Sequence, residues 1–232
     1  MQSSMRATIG HVPKRRVLGA TLVLLGAALA LAAPAQAQRR GPMGGYGDGP
    51  KWWGSFWGGY QWSNQVGDPG TNSTWNYDSN WMVRLTAERE VAPRTAIGVA
   101  WNYSRMPLAV VGNASSAVCR QGCAAEGTIA SYGLTLRSGG GAGFHFVYEG
   151  FLGAMQYSNF SVDGAGAAAF ADVKDTDFAW AFGTGFGYTL SRDFELVGIF
   201  EYGNSVHERS SDLFQRRTTQ HYTTRLGLRV GL

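Results

Sequence analysis

The chain has 232 residues, with 20 Lys or Arg against 16 Asp or Glu. Four of the bases, Arg6, Lys14, Arg15 and Arg16, precede residue 38 with no acid among them, so the remainder carries 16 charges of each sign. That balance gives nucleic-acid binding no electrostatic support, and beyond residue 37 no apolar run approaches the roughly 18 residues of a spanning helix.

The first segment, residues 1–37, reads as a Sec signal peptide. The basic stretch Lys14–Arg16 is followed by the apolar run VLGATLVLLGAALALAA, and Ala35 and Ala37 occupy the small-residue places of an A-x-A cleavage site. Cleavage after Ala37 leaves a mature chain of 195 residues (232 less 37), enough for one domain. A retained membrane anchor is the alternative reading of the same run. Residues 38–51, QRRGPMGGYGDGPK, are rich in Gly and Pro without periodicity and read as a flexible leader.

From Trp52 onward the pattern has period two, the spacing of a strand with two unlike faces. Eight such stretches are expected, each long enough for the 9–11 residues of a tilted transmembrane strand. They are Trp52–Ser63, Asn80–Glu90, Thr95–Met106, Thr128–Ser138, Phe144–Tyr157, Asp177–Leu190, Phe194–Gly203 and Tyr222–Leu232. In the sixth, Phe178, Trp180, Phe182, Phe186 and Tyr188 alternate with Ala179, Ala181, Gly183, Gly185 and Gly187. Connections after the second, fourth and sixth stretches are short (VAPR, GGGAG, SRD). The other connections are long and rich in Asn, Ser, Gly and Asp. Short turns at one end and long loops at the other mark an outer-membrane barrel.

Volume decides which face looks inward. Summed over eight strands, the large apolar set is too bulky for the lumen of so small a barrel, whereas the set rich in glycine, alanine and charge fits. Trp81, Val83 and Leu85 are therefore expected on the lipid side, with Arg84 and Glu88 in the interior. A soluble sandwich or lipocalin-like barrel would invert this and leave glycine-dominated strands facing water with nothing to pack. The fold class expected is all-β, a transmembrane antiparallel up-and-down barrel over residues 52–232.

This arrangement resembles the small eight-stranded outer-membrane β-barrel family, that of the outer membrane protein A barrel domain. The last residues, RLGLRVGL, are similar to that family's C-terminal assembly signal, with Arg225, Gly227, Val230 and Leu232 in its places. The final place holds Leu where the family usually has Phe. The resemblance implies an outer-membrane location in a Gram-negative cell. It implies as partners the membrane's lipid and lipopolysaccharide, periplasmic chaperones and the barrel-assembly machinery. It also implies a lumen closed by Arg/Glu pairs.

The inward charges fall at two heights. Arg84, Glu149, Glu201 and Arg225 lie near mid-strand, and Glu88, Arg137, Glu195 and Arg229 nearer the short turns. Isolated charges there are very costly, so they must pair or stay hydrated, and Arg84 and Arg225 are expected to pair with Glu149 and Glu201. A plug is the leading reading and a gate for small ions the alternative. Cys119 and Cys123 are expected to form a disulfide in the second long loop of an exported chain. Metal binding there would need two further ligands, and no His is near in sequence.

No catalytic residue, metal site or cofactor is assigned. SVHERSSD gathers Ser205, His207, Glu208, Ser210, Ser211 and Asp212, but adjacency in sequence is not triad geometry. MQYSN resembles the His-Tyr-Ser-Asn motif of lipid A deacylases, with Tyr157, Ser158 and Asn159 in place and Gln156 where the base belongs. A serine without that base has no evident activation. Trp52, Trp53, Trp57 and Tyr188 are expected in one interfacial girdle, and Trp62, Trp81, Trp101, Tyr103 and Tyr157 in the other.

A non-enzymatic structural or surface-interaction barrel is thus the first functional reading, with an extracellular ligand on its loops left open. A narrow pore is second and a lipid-modifying enzyme third. Mass analysis of the exported chain is expected to find Gln38 at its N-terminus; a chain still beginning at Met1 would mean that the apolar run stays as an anchor.

Overall fold

A computed structural model describes residues 52–68, 73–112, 119, 121–162, 175–208 and 216–232. The signal and leader segments and the loop residues Ser210, Ser211 and Asp212 lie outside the described residues. Ten strands are present among the described residues: β1 (Trp52–Ser63), β2 (Val66–Asp68), β3 (Ser73–Tyr77), β4 (Asn80–Ala92), β5 (Thr95–Gly112), β6 (Cys123–Gly139), β7 (Phe144–Val162), β8 (Asp175–Ser191), β9 (Phe194–Glu208) and β10 (Arg216–Gly231). Eight of them, β1 and β4 to β10, pair antiparallel in that order, β1 meeting β4 directly, and β1 closes on β10, so the sheet is a transmembrane up-and-down barrel without a free edge through its wall.

The short turns are built by residues that tolerate left-handed backbone. Between β6 and β7, Gly139, Gly140, Gly141 and Gly143 have φ of 116°, 153°, 159° and 70°, a region glycine enters without strain. Arg94, between β4 and β5, does so at 62° beside a bulge in the β4–β5 ladder.

The alternation resolves with the apolar set outward. Phe56 is 60 % exposed, Trp81 66 % and Phe182 55 %, while Arg84 and Glu88 on β4 are fully buried. In water so wide an apolar surface would drive association; in hydrocarbon it is the required solvent-facing surface. Aromatic contacts run across the outside from strand to strand, as in the stacked Trp62 and Tyr222, 5.9 Å apart, and the edge-on Tyr60 and Trp81, 5.4 Å apart.

The structure departs from the sequence reading in three ways. First, the strands run on at the long-connection end: β5 continues from Met106 to Gly112, β7 from Tyr157 to Val162 and β9 from Gly203 to Glu208. The ends of β7 and β9 read as loop by their polar composition and that of β5, MPLAVVG, by its proline, yet the ladder continues through them, as at Arg216 opposite Glu208. Cys123 therefore opens β6 and His207 lies in β9 rather than in loops. Second, β2 and β3 form a small hairpin that lays β3 on the outer part of β5, pairing Ser73 with Gly112 and Tyr77 with Leu108. Third, Trp53, Trp57 and Tyr157 are not girdle residues. Trp57 is fully buried and Tyr157 is 6 % exposed, and the Arg229 guanidinium, which pairs with buried Glu88 inside the barrel, lies 4.1 Å from the Trp53 ring centre. Strand parity puts all three on the face opposite Phe56 and Leu152, and parity overrides the general preference of aromatics for membrane interfaces.

The interior accommodates this bulk because neighbouring strands supply glycine. A Cβ on Gly227, directly opposite Trp57, would come 2.3 Å from the indole. Gly133 and Gly153, also a cross-strand pair, meet so closely that a Cβ on Gly133 would lie 2.6 Å from the Gly153 Cα. Arginine at Leu134, on the lipid face of β6, is expected to lower the unfolding free energy by about 2–4 kcal/mol, the usual midplane penalty for this substitution. Urea titration in lipid vesicles would read it, and an unchanged midpoint would contradict the outward placement.

Candidate functional site

The chemistry of the molecule is concentrated in the lumen, and period two places it there: Arg84 and Glu88 on β4, Arg137 on β6, Glu149 on β7, Glu195 and Glu201 on β9, and Arg225 and Arg229 on β10. All eight are less than 10 % exposed. They divide into two sets, each with two arginines and two glutamates, and among the described residues no ion pair joins one set to the other.

The upper set is a ring. Arg84 Nη2 donates to Glu149 Oε1, and Arg84 Nη1 lies 3.8 Å from Glu201 Oε2. Arg225 closes it from the other side, its Nη2 2.7 Å from Glu149 Oε1 and its Nη1 2.8 Å from Glu201 Oε2. Further donors of Arg84 reach Asn102 Oδ1 at 3.2 Å and Thr135 Oγ1 at 3.3 Å. Two positive and two negative charges in mutual contact leave no net charge in a low-dielectric interior, the condition under which buried ions are tolerated.

The lower set is a chain. Arg229 bridges Glu88 at 2.9 Å and Glu195 at 3.1 Å, and Arg137 Nη2 reaches Glu195 Oε1 at 3.4 Å. His145 joins it, its Nε2 2.6 Å from Glu195 Oε1 and its Nδ1 3.0 Å from the Gly143 carbonyl. Thr86 donates to Glu88 Oε1 at 3.0 Å. His145 carried no site assignment in the sequence reading, although its parity with Glu149 on β7 was available as a signal.

Above the ring the lumen turns polar and then apolar. Asn102 donates to Ser131 at 2.6 Å. His221 on β10 lies with Nδ1 2.6 Å from Ser63 Oγ and Nε2 3.1 Å from Ser205 Oγ, and Tyr157 Oη lies 2.7 Å from Ser205 Oγ. A cavity of about 30 Å³, lined by Gln61, Asn102, Ser131, Glu201, Asn204 and His221 among others, has room for roughly two waters. Past it stand Met106, Ile129 and Met155, then the β3 cluster of Trp75, Leu108, Val110 and Ala125, with Phe160 edge-on to Trp75 at 5.8 Å.

This geometry bears on the hydrolytic readings. Ser205 pairs with His221 of another strand, and with 0 % exposure it has no approach for a substrate. In MQYSN, Tyr157 points into the lumen while Gln156 and Ser158 fall on the opposite face by parity, so the motif is split across the barrel wall. No group of His, Cys, Asp and Glu suited to a metal occurs among the described residues.

The remaining assigned residues lie at the ends. Cys119 and Cys123 are joined by a disulfide, with Cα atoms 5.3 Å apart, beside the β3 cluster. Of the C-terminal residues, Arg225 and Gly227 point inward and Val230 outward by parity, and the Leu232 amide donates to the Trp52 carbonyl at 2.9 Å, fastening the barrel seam.

Among solved structures the fold is similar to neisserial surface protein A (NspA), with TM-score 0.54 and 10 % identity over 78 % of this chain and 97 % of that one. It is also similar to the outer membrane protein OprG from Pseudomonas aeruginosa, with TM-score 0.50 and 11 % identity over 79 % and 97 %. The chain thus has the fold of the small eight-stranded outer-membrane barrels. No family model matches it, and no curated protein matches it.

Glutamine at Glu149 removes the carboxylate shared by both upper arginines and leaves buried cations underpaired. The expected loss is about 3–5 kcal/mol, as for other broken buried pairs. Alanine at Arg105, whose exposed pair with Glu126 spans 2.7 Å, is expected to cost at most about 1 kcal/mol. Parallel urea titrations would compare the two, and equal losses would contradict the assignment.

Proposed function

From the fold of an eight-stranded outer-membrane barrel, we propose that this chain is a non-enzymatic integral protein of an outer membrane. It anchors a polar extracellular end while its lumen stays closed. The observation that carries this reading is the filling of the interior at two levels: eight charged residues in two neutral sets, with apolar side chains packed above them. A plugged lumen leaves the connecting loops and the extended ends of β5, β7 and β9 as the surface that meets the outside, which is where barrels of this kind vary and bind. The structural or surface-interaction role, with lipid and lipopolysaccharide around the wall and an extracellular ligand at the loops, follows from that division of labour.

A narrow pore is the second reading. It is favoured by the cavity that reaches the ring from the long-connection side, where Glu201 keeps 12 % of its side chain exposed. Opening would require the ring to exchange partners.

Single-channel recording of the refolded chain in a planar bilayer separates the two. The closed reading expects no openings from the wild type, and a less stable but still silent Glu201→Gln. Reproducible openings in the wild type would replace it with the pore.

A further inference from the structure

Trp57 occupies a place that neither ion set explains. Its side chain is fully buried and leans over Gly227, its cross-strand partner on β10, where a Cβ would come 2.3 Å from the indole. It belongs to one apolar cluster with Val147 on β7 and with Val197 and Ile199 on β9. In the order of strands around the barrel, β7 lies four strands from β1 by either route, so the cluster crosses the lumen from wall to wall. One arginine of each ion set approaches the ring: Arg225 of the upper set at 5.2 Å from its centre and Arg137 of the lower set at 5.8 Å. The indole Nε1 has no hydrogen-bond partner among the described residues, so packing and the two guanidinium groups hold the ring in place.

We infer that Trp57 is the residue that closes the lumen to ions and water, an apolar crossbar between two ion-pair sets. This rests on the closed-lumen reading above and gives the closure a location. The physical reason is that ion pairs alone make a poor seal: charged groups hold water, and exchange of partners between like sets provides a relay for it. An apolar constriction excludes water from a narrow lumen whether or not nearby ion pairs are made. The two sets meet at the ring: Arg137 of the lower set and Arg225 of the upper both approach the indole, and among the described residues no carboxylate of one set lies within ion-pair distance of an arginine of the other. The inward glycine at 227 is then required by the crossbar, since any larger residue would drive the indole out of the gap. The surrounding ions contribute a neutral frame that keeps the ring upright.

The test is single-channel recording of the full chain refolded in planar bilayers, comparing wild type, Trp57→Ala and Glu201→Gln, each first verified as folded by far-UV circular dichroism. The expected result is a silent wild type, discrete openings in Trp57→Ala and a silent Glu201→Gln. If Trp57→Ala does not refold, Trp57→Leu takes its place, because its apolar side chain is too short to span the gap; openings are expected there too. A folded Trp57 variant without openings would overturn the inference and leave the closed-lumen reading standing. Openings in both Trp57→Ala and Glu201→Gln would also overturn it, since closure would then need the ion pairs as much as the indole. An open wild type would instead remove the closed-lumen reading itself.

Discussion

An eight-stranded barrel has an interior only as wide as the side chains that fill it, and that limit governs the rest of this molecule. Every inward residue must either pair its polar groups or pack its surface against its neighbours, because the lumen cavity has room for only roughly two waters to absorb a mismatch. Charge is therefore grouped into two neutral sets, each arginine facing glutamates from other strands. Bulk is matched by absence: Trp57 stands opposite Gly227, and Gly133 opposite Gly153. The lipid face carries the reverse demand, which Phe178, Phe182, Leu134 and their neighbours meet with exposed apolar surface.

The layers along the axis follow from the same limit. Paired ions occupy the half nearest the short turns and the middle, hydroxyl, amide and imidazole groups come next, and apolar side chains lie at the far end. The polar layer is hydrogen-bonded strand to strand, as in the contacts of His221 with Ser63 and Ser205. The apolar end is completed by a hairpin outside the eight barrel strands, whose Trp75 meets Phe160 of β7. Strands continuing past the lipid-facing belt carry this packing outward, so the long-connection end is a paired sheet as much as a set of loops.

Much of this was legible because period-two alternation reports the two faces directly. It located the eight barrel strands, separated Trp81, Val83 and Leu85 from Arg84 and Glu88, and put the eight lumen charges on one side of the wall. The hairpin of β2 and β3 escaped because three and five residues are too few to show a period, and its pairing with β5 is a tertiary event. The outer ends of β7 and β9 escaped because polar composition there reads as loop, and that of β5 because Pro107 reads as a break, while the ladder continues. Trp53, Trp57 and Tyr157 were assigned by residue type, although their own parity pointed inward. What parity could not supply was the void opposite Trp57, which depends on the β1–β10 register.

The claim beneath all of this is that the apolar face meets lipid and the charged face fills the lumen. Spin labels placed one at a time at Ala130, Ser131, Tyr132, Leu134, Thr135 and Leu136 of β6, in lipid vesicles, would test it most directly. Collision rates with dissolved oxygen should be high at 130, 132, 134 and 136 and low at 131 and 135. The opposite phase, or no alternation, would contradict it.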